Sequence, residues 1–154
     1  MKHLIVLIMI AMFVPHKAAA QFNTDRLMVS GRSALYYEDY VLSIQYFNQV
    51  LTAKPYLYEP WFFRGLAKYY LDDYSGAESD LSHAISLNPY IANMYELRGL
   101  CRIRQNSYAD AICDYDHSLR LNPQNQAAWY NRALCRVEQK DYAQAQLDLD
   151  TIVV

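Results

Sequence analysis

The chain has 154 residues, 53% of them apolar, with four Gly and five Pro, which is a globular composition without room for a low-complexity linker. Its formal charge is −2; without Lys2 and Lys17, which lie in a leader-like segment, twelve basic residues face sixteen acidic ones, about −4. That balance argues against a nucleic-acid partner.

The N-terminus opens with a positive Met1-Lys2-His3, followed by the apolar run Leu4–Val14 and then Ala18-Ala19-Ala20 before Gln21. This is the pattern of a secretory signal peptide over residues 1–20, and the run is too short to span a bilayer. The same length argues against an uncleaved anchor. No cysteine follows the run, which argues against a lipoprotein anchor. The expectation is an exported protein, periplasmic or secreted, that begins at Gln21 and does not span the membrane once the signal is removed.

From Thr24 the chain divides without a gap into units of 34 residues: 24–57, 58–91, 92–125 and a partial 126–154. Gly31, Gly65, Gly99 and Ala133 are equivalent, as are Tyr40, Tyr74, Tyr108 and Tyr142. Ser43, Ala77, Ala111 and Ala145 are always small, and the complete units reach Pro55, Pro89 and Pro123. Within the second unit, Trp61, Gly65 and Lys68 share one face of a first helix. Tyr74, Ala77, Leu81, Ala84 and Ile85 form the buried stripe of a second helix. Asp72-Asp73 marks the turn between them, and Asn88-Pro89 stops the second helix, because proline disfavours helical geometry in the residue before it. The small residues allow two antiparallel helices to approach closely. One such pair cannot bury its own apolar face, so the units must stack.

Trp61, Gly65, Tyr74, Ala77, Leu81, Ala84 and Pro89 resemble the tetratricopeptide repeat, as do Tyr95, Gly99, Tyr108, Ala111, Tyr115 and Pro123. The resemblance covers residues 24–154. It implies an all-α fold, a right-handed α-solenoid of about four stacked antiparallel helix pairs. One departure from the family pattern is systematic. Arg64, Arg98 and Arg132 stand where leucine commonly precedes the glycine, and Lys68, Arg102 and Arg136 replace a tyrosine.

Those cations face the second helix of their own unit when 100° is allotted per residue. Partial burial of a charge is costly unless it is paired. In a hairpin turning near the sixteenth residue, the opposing level holds Asp80, Asp114 and Asp148. The first unit has Ser30 and Ala34 in place of cations and Tyr46 in place of the acid, so cation and acid are present or absent together. This pattern favours structural ion pairs Arg64–Asp80, Arg98–Asp114 and Arg132–Asp148 over the alternative, a basic stripe for an acidic ligand.

No residue pattern supports catalysis. His83 and His117 are equivalent residues on the outer side of second helices, read as solvated surface groups, and no metal-ligand spacing accompanies them. No cofactor, phosphate loop or activated nucleophile is indicated, and no enzyme is expected. Cys101 and Cys135 lie one repeat apart, at about 8–10 Å, beyond disulfide reach. They read as packing residues, with Cys113 directed to solvent.

The resemblance implies that the first helices line a concave groove holding an extended peptide or a partner helix. The candidate groove residues are Met28, Arg32, Phe62, Leu66, Tyr69, Glu96, Leu100, Tyr130 and Leu134. Leu35, Tyr69, Ile103 and Val137 serve equally well as seam residues between helices. The family's chaperone-tail type clamps a terminal carboxylate with lysine, asparagine and arginine. Met28, Arg32, Phe63, Asn93 and Leu97 stand in the corresponding places, so that clamp is missing. The expected function is a protein–protein interaction scaffold of the cell envelope with a protein or peptide partner. The alternative is the structural assembly arm of a longer envelope protein. The last unit ends at Asp150–Val154 without a polar helix to cover it, which leaves room for self-association through that end.

Overall fold

The computed structural model describes residues 23–152. The expected signal peptide lies outside the described residues. Eight helices follow one another in the described chain: α1 (residues 23–36), α2 (Tyr40–Ala53), α3 (Tyr58–Tyr70), α4 (Tyr74–Leu87), α5 (Ala92–Arg104), α6 (Tyr108–Leu121), α7 (Gln126–Glu138) and α8 (Tyr142–Ile152). Among the described residues there is no strand, and no helix is long and apolar enough to cross a membrane.

The turns explain why the helices pair. Glu38, Asp72, Asn106 and Lys140 sit at equivalent positions, each left-handed with φ between 60° and 63°. That conformation ends the first helix and reverses the chain, although none of the four is the glycine that adopts it most cheaply. The next amide reaches back to cap the helix, from Asp39 to the Ala34 carbonyl, Asp73 to Lys68, Ser107 to Arg102 and Asp141 to Arg136. The side chains of Asp39, Asp73 and Asp141 then accept from the amides of Leu42, Gly76 and Gln144, starting the second helix.

Close approach within a pair depends on the missing side chain at the small-residue position of the first helix. A β-carbon on Gly31 would stand 2.7 Å from the Phe47 ring, and one on Gly99 would stand 2.9 Å from the Tyr115 ring. At Gly65 the contacts would be 3.1 Å to Leu81 and 3.3 Å to the Ala77 carbonyl oxygen. Each glycine therefore receives the large residue sixteen positions ahead. Ser43 ties the first pair further by donating to the Gly31 carbonyl at 3.0 Å.

Between pairs, the apolar core is shared. Ala77 and Leu81 of α4 meet Leu97 and Cys101 of α5, and Ala111, Tyr115 and Leu119 of α6 meet Ala128 and Cys135 of α7. Full burial of a side chain such as Leu81 stabilises the fold by about 1.5–3 kcal/mol. Consecutive first helices also touch, α3 with α5 and α5 with α7, whereas α2, α4, α6 and α8 do not touch one another. The stack therefore curls with its first helices on the inner side. Stacked antiparallel pairs with this sidedness form the expected α-solenoid.

Candidate partner-binding faces

The arginines are placed between helices and also between repeats. Arg64 reaches both oxygens of Asp80, at 2.8 Å through Nε and 2.6 Å through Nη2. Arg98 holds Asp114 and Arg132 holds Asp148 in the same forked manner, each with a 2.6 Å contact. Lys68, Arg102 and Arg136 reach the same three carboxylates at 2.8, 2.9 and 2.6 Å. Asp80, Asp114 and Asp148 are buried, so two cations surround each acid in a nearly dry setting.

The remaining Nη1 of each arginine donates backwards, to a residue sixteen positions earlier in the preceding pair. The acceptors are Asn48 for Arg64, Ser82 for Arg98 and Asp116 for Arg132. The arginine thus locks a hairpin and fastens it to its neighbour. The charge balance differs between units. Arg102 recruits Glu78 at 2.8 Å and Arg132 recruits Asp116 at 2.5 Å, so the third and fourth units each place two cations against two acids. In the second unit Asn48 supplies no charge, and Arg64 and Lys68 share Asp80 alone.

An aromatic plate supports each guanidinium. The Arg64, Arg98 and Arg132 carbons lie 4.7, 5.8 and 4.6 Å from the ring centres of Trp61, Tyr95 and Trp129. The same rings donate to the carbonyls of Pro55, Pro89 and Pro123, at 2.8, 3.1 and 2.9 Å. His83 and His117 are exposed, as expected, and each also lies on an aromatic ring, Trp61 and Tyr95, with ring centres 4.1 and 5.1 Å apart.

The proposed groove residues divide into two sets. Arg32, Tyr130 and Leu134 are exposed, and Met28 is half-buried. The Arg32 guanidinium lies 6.0 Å from the Phe63 ring centre. Phe62, Leu66, Tyr69 and Leu100 are half-buried and pack against the α4–α5 core. They stand less free than helical phase predicts, because the core they rest on is shared between α4 and α5 and α3 also touches α5. Tyr69 and Ile103 are packed on the two cores, as a seam requires, while Val137 is exposed. Burial pushes the Tyr69 hydroxyl above its ordinary pKa. Glu96 accepts from Asn125 Nδ2 at 2.7 Å, and Asn125 also caps α7 by accepting from the Ala128 amide. Phe63 stacks on Phe47 at 5.7 Å and Leu97 is buried, so neither is available to a carboxylate tail. Tyr74, placed by sequence in the hairpin core, is half-buried at the turn, where its hydroxyl donates to Asp72 and Arg104 covers its ring.

Cys101 and Cys135 are buried free thiols and Cys113 is exposed. Burial pushes Cys101 up to about 12 and Cys135 up to about 11. Among the described residues no group of three or more His, Cys, Asp or Glu is arranged to hold a metal ion. At the far end of the array an open cleft of about 590 Å³ is lined by Pro123, Trp129, Leu147, Asp150 and Ile152, among others.

Helix pairs repeating every 34 residues, fastened by an arginine at the same place in each of the last three, define a repeat scaffold with two surfaces, an inner face and an end. The chain belongs to the tetratricopeptide-repeat family, whose models match residues 64–117 and 114–147. Among solved structures it is similar to MamA residues 41 to the end from Desulfovibrio magneticus RS-1, with 18% identity over 84% of this chain and 73% of that one and a TM-score of 0.80. It is similar to the Arabidopsis OM64 tetratricopeptide domain, with 20% identity, 77% and 98% coverage and a TM-score of 0.75. It is also similar to the first such domain of Spaghetti (RPAP3) bound to an HSP90 peptide, with 24% identity, 77% and 94% coverage and a TM-score of 0.75. No curated protein matches the sequence.

Proposed function

We propose that this chain is a protein–protein interaction scaffold of the cell envelope that holds a partner peptide or helix against the inner face of its first helices. The observation that carries this is the inner stripe of Arg32, Phe62, Leu66, Leu100 and Tyr130, mostly apolar and aromatic residues on the side where consecutive first helices meet. Phe62, Leu66 and Leu100 rest partly on the α4–α5 core and leave the remainder of their surface open on the inner side, and grooves of this type bind helices or extended segments. A peptide-bound relative of the same fold adds support. The missing lysine–asparagine–arginine clamp directs the partner away from carboxylate tails. Export to the periplasm or beyond rests on the leader pattern in residues 1–20.

A photocrosslinking amino acid placed at Arg32 or Leu100 tests the groove in living cells. A discrete partner should crosslink there and not from Ser79, which is exposed on α4. Equal labelling from all three places would remove the groove from the account. N-terminal sequencing of the envelope fraction tests export, with Gln21 as the expected first residue and an intact Met1 in the cytosol as the opposing result.

A further inference from the structure

We propose that the turn edge of the first two helix pairs is a docking site for an extended segment of a partner protein that carries arginines three residues apart. Their guanidinium groups would stack on exposed tyrosine rings beside Glu38 and Asp72. The residues at this edge exceed what the turns require. All four turns place a left-handed residue at the position of Glu38 and a tyrosine two residues later. The third does so within Arg104-Gln105-Asn106-Ser107-Tyr108, with one tyrosine and no acid. The first two read Tyr36-Tyr37-Glu38-Asp39-Tyr40 and Tyr70-Leu71-Asp72-Asp73-Tyr74, five tyrosines and four acids without a base. Tyr36, Tyr37 and Tyr70 are exposed, by 81%, 76% and 53%. The rings also join the two turns. Tyr40 stacks on Tyr70 at 4.9 Å, Tyr70 meets Tyr69 at 5.8 Å, and Tyr69 meets Tyr74 at 5.6 Å.

The array itself shows what such an edge accepts. At the second turn the Arg104 guanidinium lies 4.9 Å from the Tyr74 ring centre and 3.7 Å from a carboxylate oxygen of Asp72. The residue 34 positions before Arg104 is Tyr70, so the first turn presents rings and an acid but no cation. The Glu38 side chain has no hydrogen-bond or ion-pair partner among the described residues. Desolvation and then the Glu38 charge raise the Tyr40 hydroxyl above its ordinary pKa. Charge selects the occupant. The four acids repel an anionic lipid surface, a nucleic acid and the same edge of a second copy. Arginine suits the edge better than lysine, because its plane stacks on a ring while its donors face a carboxylate. Consecutive turns stand about one helix spacing apart, about 8–10 Å, which an extended chain covers in three residues.

The probe is a fluorescein-labelled peptide, GRGGRGGRG, titrated with the protein and followed by anisotropy. Saturable binding that weakens as salt rises is expected. Lysine in place of arginine should weaken it about threefold, and glutamate should abolish it. Glu38→Lys copies Lys140 of the fourth turn and Tyr37→Gln copies Gln105 of the third, so the fold has a place for both. Glu38→Lys should weaken binding about fivefold and Tyr37→Gln about threefold. Tyr70→Arg sets an internal guanidinium over Tyr40, as Arg104 lies over Tyr74, and should block the peptide. Tyr90→Ala, exposed on the opposite edge, and Leu134→Glu, on the inner face, should leave binding unchanged. Thermal melts of each variant separate lost binding from lost folding. Absent saturable binding, binding indifferent to Glu38→Lys or Tyr70→Arg in folded protein, or loss through Leu134→Glu overturns the proposal. So does a lysine peptide that binds as well, or displacement by a neutral oligosaccharide regardless of salt, which would assign the rings to sugar stacking.

Discussion

Arg98 and Asp114, sixteen residues apart, face each other across the α5–α6 hairpin with the guanidinium forked over a carboxylate that is almost sealed from solvent. Arg102 reaches the same carboxylate at 2.9 Å, so the acid is the common anchor of two cations. Asp114→Ala leaves both half-buried cations facing an apolar gap and should cost about 3–5 kcal/mol. Replacing Arg98 and Asp114 together with Met and Leu should cost much less, since Arg102 keeps Glu78. Urea unfolding of the two single variants and the double variant measures the coupling. Simple additivity would show that the pair contributes nothing as a pair.

The second unit offers the reverse experiment. Arg64 and Lys68 share Asp80, and Asn48 occupies the place that Asp116 fills for Arg132. Asn48→Asp should therefore stabilise the array, by no more than about 1 kcal/mol because the site is exposed. The gain should shrink in 1 M salt, where the screening length falls to about 3 Å.

The register of the hairpins was legible in the sequence for a specific reason. Arg64 and Asp80 rise and vanish together with their equivalents, and opposite charges leave a signature that survives without coordinates. The backward contacts leave none, because Asn48, Ser82 and Asp116 share only the ability to accept a hydrogen bond. The turns were placed by Asp72-Asp73, but Glu38 and Lys140 adopt the same left-handed conformation against their own preference. Tertiary packing decides there. Helical phase turns Phe62 and Leu66 toward an open groove, but phase fixes a direction and not what stands in that direction. The core shared between α4 and α5, with α3 also touching α5, closes part of it.

Tyr115 takes the place that Phe47 holds in the first unit, pressed against a glycine, yet its hydroxyl is buried without a hydrogen-bond partner. Burial raises its pKa above the ordinary tyrosine value. Tyr115→Phe removes an unsatisfied polar group and keeps the ring, so it should stabilise the protein by about 1 kcal/mol or more. Gly99→Ala, which sets a β-carbon 2.9 Å from the same ring, should destabilise it. Thermal melts of the two variants should move in opposite directions. A lower melting temperature for Tyr115→Phe would show that the hydroxyl is in use.

The thiols should separate cleanly by reactivity. Cys101 and Cys135 are fully buried and pushed up to about 12 and about 11, so neither supplies thiolate at neutral pH. Cys113 is exposed. A thiol reagent should modify one cysteine in the native protein and three after unfolding. Mass spectrometry should place the native label on Cys113, and early labelling of Cys101 would reveal opening between α4 and α5.

Acid should weaken the link that Glu78 makes between α4 and α5. Burial alone would raise the Glu78 carboxyl, but hydrogen bonds from Arg102 and Gln105 outweigh it and hold the group below the ordinary glutamate range. A carboxylate whose folded pKa is depressed binds its proton more readily when unfolded. Its contribution is therefore complete above the unfolded value of about 4.3 and is lost as pH falls through the lower folded value. Glu78→Gln removes this dependence while keeping a hydrogen-bonding side chain. The variant should be the less stable protein at neutral pH, and the difference from wild type should narrow below about pH 4. Urea midpoints at the two pH values provide the comparison. Equal losses of stability in both proteins would mean that Glu78 does not couple α4 to α5 through its charge.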